Sequence, residues 1–264
     1  MLSNNAIIAI VSAVVFVGGG AAVYYYNHRA PPAVQSISPA PIAQAPPIAP
    51  EPPAHHPVPS AVGDAQPLPE LNDSDPPILE SLTTLFGAKP LEEFLNPQDI
   101  VRHLVVTIDN LPNKKVALRL SPVKQMPEKF IAEGTQDAPV LSAQNYARYA
   151  PFVRIVQAAD AKSVAAIYFH FYPLFQRAYE DLGYPGQYFN DRLVQVIDHL
   201  LDTPDIPASA ALTQPNVFYE FSDPELQARS FGQKAMIRMG KENAAALKTK
   251  LRQLREEVTK QTRN

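Results

Sequence analysis

The sequence has no cysteine and no tryptophan, and only 10 glycines against 28 prolines in 264 residues. The missing cysteine excludes disulfides, thiolate metal sites, a cysteine nucleophile and a lipoprotein anchor. A charge excess is missing too. The 23 Lys and Arg against 26 Asp and Glu leave a net charge of −3, which argues against a dedicated nucleic-acid binder. No HExxH, GxGxxG, Walker A or GxSxG motif occurs. Gly183 and Gly186 flank Tyr184-Pro185, and the proline makes this a turn rather than a phosphate cradle. His103, His170 and His199 are far apart in sequence. No catalytic residue, no metal site and no cofactor are expected.

The prolines are unevenly placed, and they divide the chain. Residues 6–26 (AIIAIVSAVVFVGGGAAVYYY) carry no charged side chain. As a helix of 21 residues this run is about 32 Å long, close to the ~30 Å hydrocarbon core of a bilayer. Tyr24, Tyr25 and Tyr26 stand where an interfacial aromatic belt belongs. The five preceding residues carry no Lys or Arg. The run is also longer than the apolar part of a cleaved signal peptide, so a retained single-pass anchor is expected, with the lipid bilayer as first partner. Gly18 and Ala22 form a small-xxx-small pair of the kind that lets two such helices pack closely, so the sequence allows a homodimer. Arg29 alone would place the following chain in the cytoplasm, but one charge fixes little and long domains translocate regardless. A proline-rich stalk and the absence of cysteine suit an envelope compartment, and the periplasm is the expected side.

Residues 27–77 read as a disordered linker. Positions 31–77 hold 15 prolines, with scattered apolar residues that follow no period. Such a segment lacks the backbone donors and the apolar content for a core and stays extended. His55 and His56, without a third ligand nearby, are expected to be solvated.

From residue 78 onward the composition is ordinary and the pattern mostly helical, so one compact helical domain with minor short β pieces is expected over 78–264. Helices are predicted over ILESLTTLF (78–86, stopped by Gly87), QDIVRHLVVTIDNL (98–111), DRLVQVIDHLL (191–201, capped by Asn190), near ELQARS, and from Lys241 to Thr259. Ser142 should cap a helix that Pro151 interrupts. Asp160 should cap one long helix, 161–182, that Pro173 kinks. Residues 116–120 (VALRL), Phe130-Ile131 and 217–221 (VFYEF) are the extended candidates.

Nine of the 23 aromatic residues fall within residues 168–189, with Arg177, Asn190 and Arg192 among or just after them. Two readings stay open. The cluster is a core whose tyrosine hydroxyls bond to Arg and Asn, or a polar-edged cleft for a glycan, peptide or other envelope ligand. In the second reading the binding residues are Tyr172, Arg177, Tyr179, Tyr184, Tyr188, Asn190 and Arg192. The absence of tryptophan weakens the glycan version. Residues 229–264 carry ten basic and three acidic side chains, whereas residues 78–228 carry 12 and 18. That asymmetry could steer the domain to an anionic partner, or be a solvated face of a helix docked on its own core. Ala244, Leu247, Leu251, Leu254 and Val258 trace an apolar seam along the last helix.

Three stretches carry a resemblance: NYARYAPFVRIVQAAD, FYPLFQRAYEDLGYPGQYFNDRLVQVIDHLLDTP and GQKAMIRMGKENAAALKTKLRQLR. They resemble a bacterial membrane-anchored family, the domain of unknown function 3014 family, over roughly residues 78–258. The family has no assigned activity, so no catalytic role carries over; the resemblance implies a bacterial protein with one membrane anchor and one helical domain, and the inner membrane is the expected location. Two functions follow as expectations. The first is a tethered scaffold or interaction domain for an envelope protein or cell-wall partner. The alternative is an envelope hydrolase or transferase using carboxylates such as Glu180 or Asp191 in an aromatic-lined cleft.

Overall fold

The computed structural model describes residues 55–58, 67–126, 129–206 and 209–260. The expected membrane span and most of the proline-rich stretch lie outside these residues. Among the described residues no helix is long and apolar enough to cross a membrane.

The domain is mainly helical, with two short hairpins. Ordered packing reaches back beyond residue 78: Leu68 and Leu71 lie against the core, and a 3-10 turn at Leu71–Asp73 leads into α1, Asp75–Phe86. Pro76 and Pro77 sit in the first turn of α1, where a missing N–H costs nothing. Gly87, with φ of +80°, ends α1 and starts α2, Ala88–Phe94. Helix α3 spans Ile100–Asn110. Its N-terminus is capped from a distance, because the Asp75 carboxylate accepts the Asp99 and Ile100 amides at 2.8 Å each. Asp99 itself takes a left-handed φ of +49°.

Residues 116–120 do alternate in exposure, but among the described residues no strand pairs with them, and they close as a 3-10 turn at Leu118–Leu120. The extended pieces form at and beside the other two candidates, directly after Phe130-Ile131 and over the last two residues of 217–221. Strands β1, Ala132–Thr135, and β2, Ala138–Leu141, make an antiparallel hairpin with Gly134 opposite Pro139. Gly134 has φ of +94°, and a Cβ there would meet the Ala138 carbonyl oxygen at 2.6 Å. Strands β3, Leu212–Thr213, and β4, Glu220–Phe221, form the second hairpin. A bridge between Val140 and Ala211 joins the two. Arg238 lies over the Phe221 ring at 5.3 Å and near Phe130 at 5.9 Å, closing this smaller core.

Helix α4, Gln144–Ala158, runs through Pro151 without interruption. Pro151 and Ala147, whose carbonyl loses its partner, are both exposed, so water replaces the lost bond. Ser142 still serves the helix start, its hydroxyl accepting the Gln144 amide at 3.1 Å. The long aromatic helix is two helices, α5, Ala161–His170, and α6, Tyr172–Asp181, broken at Phe171. Pro173 thus occupies the first turn of α6 instead of kinking a continuous rod. Asp160 caps α5 by accepting the Ser163 amide at 2.8 Å. The turn at Tyr184–Gln187, with Gly183 and Gly186 at positive φ, leads into α7, Phe189–Leu201.

After the second hairpin come α8, Pro224–Ala228, α9, Phe231–Arg238, and α10, Lys241–Thr259. Ser230 caps α9 through the Gln233 amide, a start that the sequence reading passed over. Helix α10 packs against α4, α5 and α7, and α3 packs against α6 and α7. The seam Ala244, Leu247, Leu251, Leu254 and Val258 is buried in the chain's own core.

Candidate functional site

The site grows from the junction of α5, α6 and α7. Phe189, 0 % exposed, opens α7 and forms the centre of the aromatic group. Its ring stacks on Phe175 at 5.8 Å and 9° and meets Tyr179 at 5.5 Å. Tyr168 stands edge-on to Phe175 and to Tyr172, at 5.4 and 5.7 Å. Tyr179 stacks on Tyr184 at 4.6 Å. These rings fill the space between helices, so most of the cluster is core.

The hydroxyls of Tyr168, Tyr172 and Tyr184 are matched within the protein. Gln176 is the hub of one network: its Oε1 accepts from the Tyr172 hydroxyl at 3.0 Å and the Phe189 amide at 2.9 Å. Its Nε2 donates to Glu180 at 2.9 Å and to the Gln187 carbonyl at 2.8 Å. Burial pushes the Tyr172 hydroxyl up to about 12, as it does that of Tyr179. Burial also holds the Tyr168 hydroxyl well above its ordinary value. The Asp109 carboxylate beside Tyr184 raises its hydroxyl too, and Tyr184 donates to that carboxylate at 3.2 Å.

Arg192 holds the same aspartate. Its Nε donates to Asp109 Oδ1 at 2.8 Å, and a terminal nitrogen donates to the Asp109 main-chain carbonyl at 2.7 Å. Arg177, by contrast, projects into solvent and pairs with Asp181 at 3.1 Å on its own helix. It is not part of the cluster. Tyr188 supplies the residue before α7 and is half-buried.

Asn190 does not cap α7. It lies inside the first turn, 0 % exposed, and ties three segments together. Its Oδ1 accepts from the Tyr168 hydroxyl at 3.1 Å. Its Nδ2 donates to the Val258 carbonyl near the end of α10, at 3.2 Å, and to the His56 carbonyl at 2.9 Å. The next residue, Asp191, accepts the His55 amide at 3.0 Å on one oxygen and the His56 amide at 2.7 Å on the other. The two histidines therefore sit on the domain through their main chain, contrary to the expected solvated linker. Successive N–H groups of a bend converge on one anion in this way. The His55 side chain stays exposed.

The sequence reading therefore missed Asp109, Gln176 and the docked pair His55-His56. Asp109 had one signal, a carboxylate next to the apolar stripe of α3, but its partner lies 83 residues away. The basic C-terminal excess is largely used internally. Lys248 pairs with Asp205, Arg255 with Asp198, and Lys260 with Glu256 and Glu257. Lys250 is buried and donates to the Ala159 carbonyl, and burial lowers its pKa. Among the described residues no group of three or more His, Asp or Glu could hold a metal ion.

The carboxylates of the enzymatic alternative have separate partners. Glu180 bonds to Gln176, Asp191 to the His55 and His56 amides, and Asp198 to Arg255 at 2.5 and 2.9 Å. What the site presents outward is a polar edge at the start of α7 that holds peptide main chain.

No curated protein and no solved structure matches the chain significantly. The model of the DUF3014 family, described as a protein of unknown function, matches residues 100–255, more than half of the sequence, and the chain belongs to that family.

Proposed function

We propose that the chain is a single-pass protein of the bacterial inner membrane whose helical domain stands in the periplasm and acts as an interaction module or scaffold. The uncharged run of residues 6–26 and the proline-rich stretch behind it support the tethered arrangement. One observation supports the interaction reading: Asp191 and Asn190 hold a main-chain segment from far away in sequence by three hydrogen bonds. A surface that recognises backbone N–H and C=O groups suits a protein partner better than a small substrate. The hydrolase or transferase reading needs acids converging on one pocket, and Glu180, Asp191 and Asp198 each serve a different partner.

The test is photo-crosslinking in cells with the full-length protein. A photoreactive residue replaces exposed Gln187, beside the site, or exposed Lys89, on α2. A discrete protein adduct from position 187 and none from 89 is expected. Absence of an adduct at 187, or the same adducts at both positions, would overturn the interaction reading. Carbonate extraction should leave the protein in the membrane pellet.

A further inference from the structure

The docked pair His55-His56 is separated from Asp191 by 136 and 135 residues, yet it makes the contacts of a bound ligand. Asp191 reads two consecutive amide donors, and Asn190 reads the carbonyl that follows them. Every one of these contacts goes to main chain. The side chains are incidental to them, and His55 projects into solvent. Pro57 follows directly and offers no competing N–H. The receiving side is built into the fold: Asn190 is fully buried, its Oδ1 accepts from Tyr168, and its Nδ2 also donates to the Val258 carbonyl.

We propose that the start of α7 is a docking site for a bent peptide with two consecutive free amides before a proline, and that residues 55–58 of the same chain are its resident occupant. The segment is a clasp. It fastens residues 55–58 of the proline-rich stretch to the domain and covers the edge at Asn190 and Asp191. A partner peptide of the same main-chain pattern competes for that edge. This rests on the reading of the domain as an interaction module, which it deepens by naming the resident competitor.

Because the protein has no cysteine, His55→Cys with Gln253→Cys gives a doubly spin-labelled chain without background sites. Both positions are exposed, and His55→Cys keeps the amide that Asp191 binds. Pulsed electron–electron distance measurements are made on the full-length protein in nanodiscs, diluted with unlabelled chains. A single narrow distance distribution is expected. It should persist in His56→Ala, which keeps the N–H, and broaden in His56→Pro, which removes it. It should also broaden in Asp191→Ala. His56→Pro lies outside the helical domain and cannot act by unfolding it. Excess synthetic peptide PAHHPVP should broaden the distribution, and PAPPPVP, which lacks both donors, should leave it unchanged. A broad distribution in the parent, a narrow one surviving both Asp191→Ala and His56→Pro, or a signal that disappears on dilution would overturn the clasp. Those failures are separable from failure of the crosslinking in cells, which probes partners and not the chain's own segment.

Discussion

Arg192 grips Asp109 at two points, the carboxylate at 2.8 Å and the main-chain carbonyl at 2.7 Å, and so fixes the first turn of α7 to the end of α3. The Asp109 side chain is only 7 % exposed. Removing the guanidinium strands a buried carboxylate with Tyr184 as its remaining side-chain donor. Arg192→Ala should therefore lower stability by about 3 kcal/mol. Arg177→Ala, which breaks only an exposed pair, should change it by less than about 0.5 kcal/mol. Urea unfolding of the two variants side by side checks the contrast, and equal midpoints would contradict it.

The aromatic group should respond most strongly at its centre. Phe189 is fully buried and touches three other rings, whereas Phe175 is half-buried. Phe189→Ala should cost about 3–5 kcal/mol through lost transfer energy and a cavity. Phe175→Ala should cost clearly less. Thermal or urea melts that rank them the other way would show that the core is centred elsewhere.

Alkaline pH should loosen the same region. Tyr172 and Tyr179 are held up to about 12 in the fold, against about 10 in the unfolded chain. Their stabilising share is complete below about pH 10 and is lost as pH rises toward 12, because the unfolded state releases its protons first. The melting temperature should fall across that window. Tyr172→Phe should flatten the fall, and an unchanged slope in that variant would remove Tyr172 as a cause.

The N-terminal boundary gives a fourth expectation. A fragment beginning at residue 78 loses the Asp75 carboxylate that caps α3, together with the packing of Leu68 and Leu71. It should be markedly less stable than one beginning at Pro67. Asp75→Ala alone should cost about 1–2 kcal/mol, in the range of a lost helix cap. Circular dichroism melts of the three forms test this, and coincident transitions would refute it.

The helix pattern was readable because periodic apolar spacing and local caps act within a few residues. Asp160 caps α5 as expected, and Asp223, directly before Pro224, caps α8 in the same local way by accepting the Glu225 amide. Three features were not readable for a common reason. VALRL has a strand's alternation, but whether a neighbouring strand exists is decided elsewhere in the chain. Pro151 is tolerated because its turn faces water, and burial is a tertiary property. Asn190 looks like a cap, and its buried place comes from Tyr168 and Val258, which lie 22 and 68 residues away. The same holds for the site. Its aromatic residues were found by density alone, while Asp109 and the docked histidines depend on contacts spanning 75 to 136 residues.

Helix α10 follows in sequence every helix it packs against; it covers α4, α5 and α7, and its Leu247, Leu251 and Leu254 are buried. A ribosome or a membrane pore delivers the chain in order. Until α10 emerges, the apolar faces of those three helices have no lid, and the nascent domain cannot close its core. Closure of the core therefore waits for α10 to emerge, and the open interval is when a holding chaperone would find its substrate.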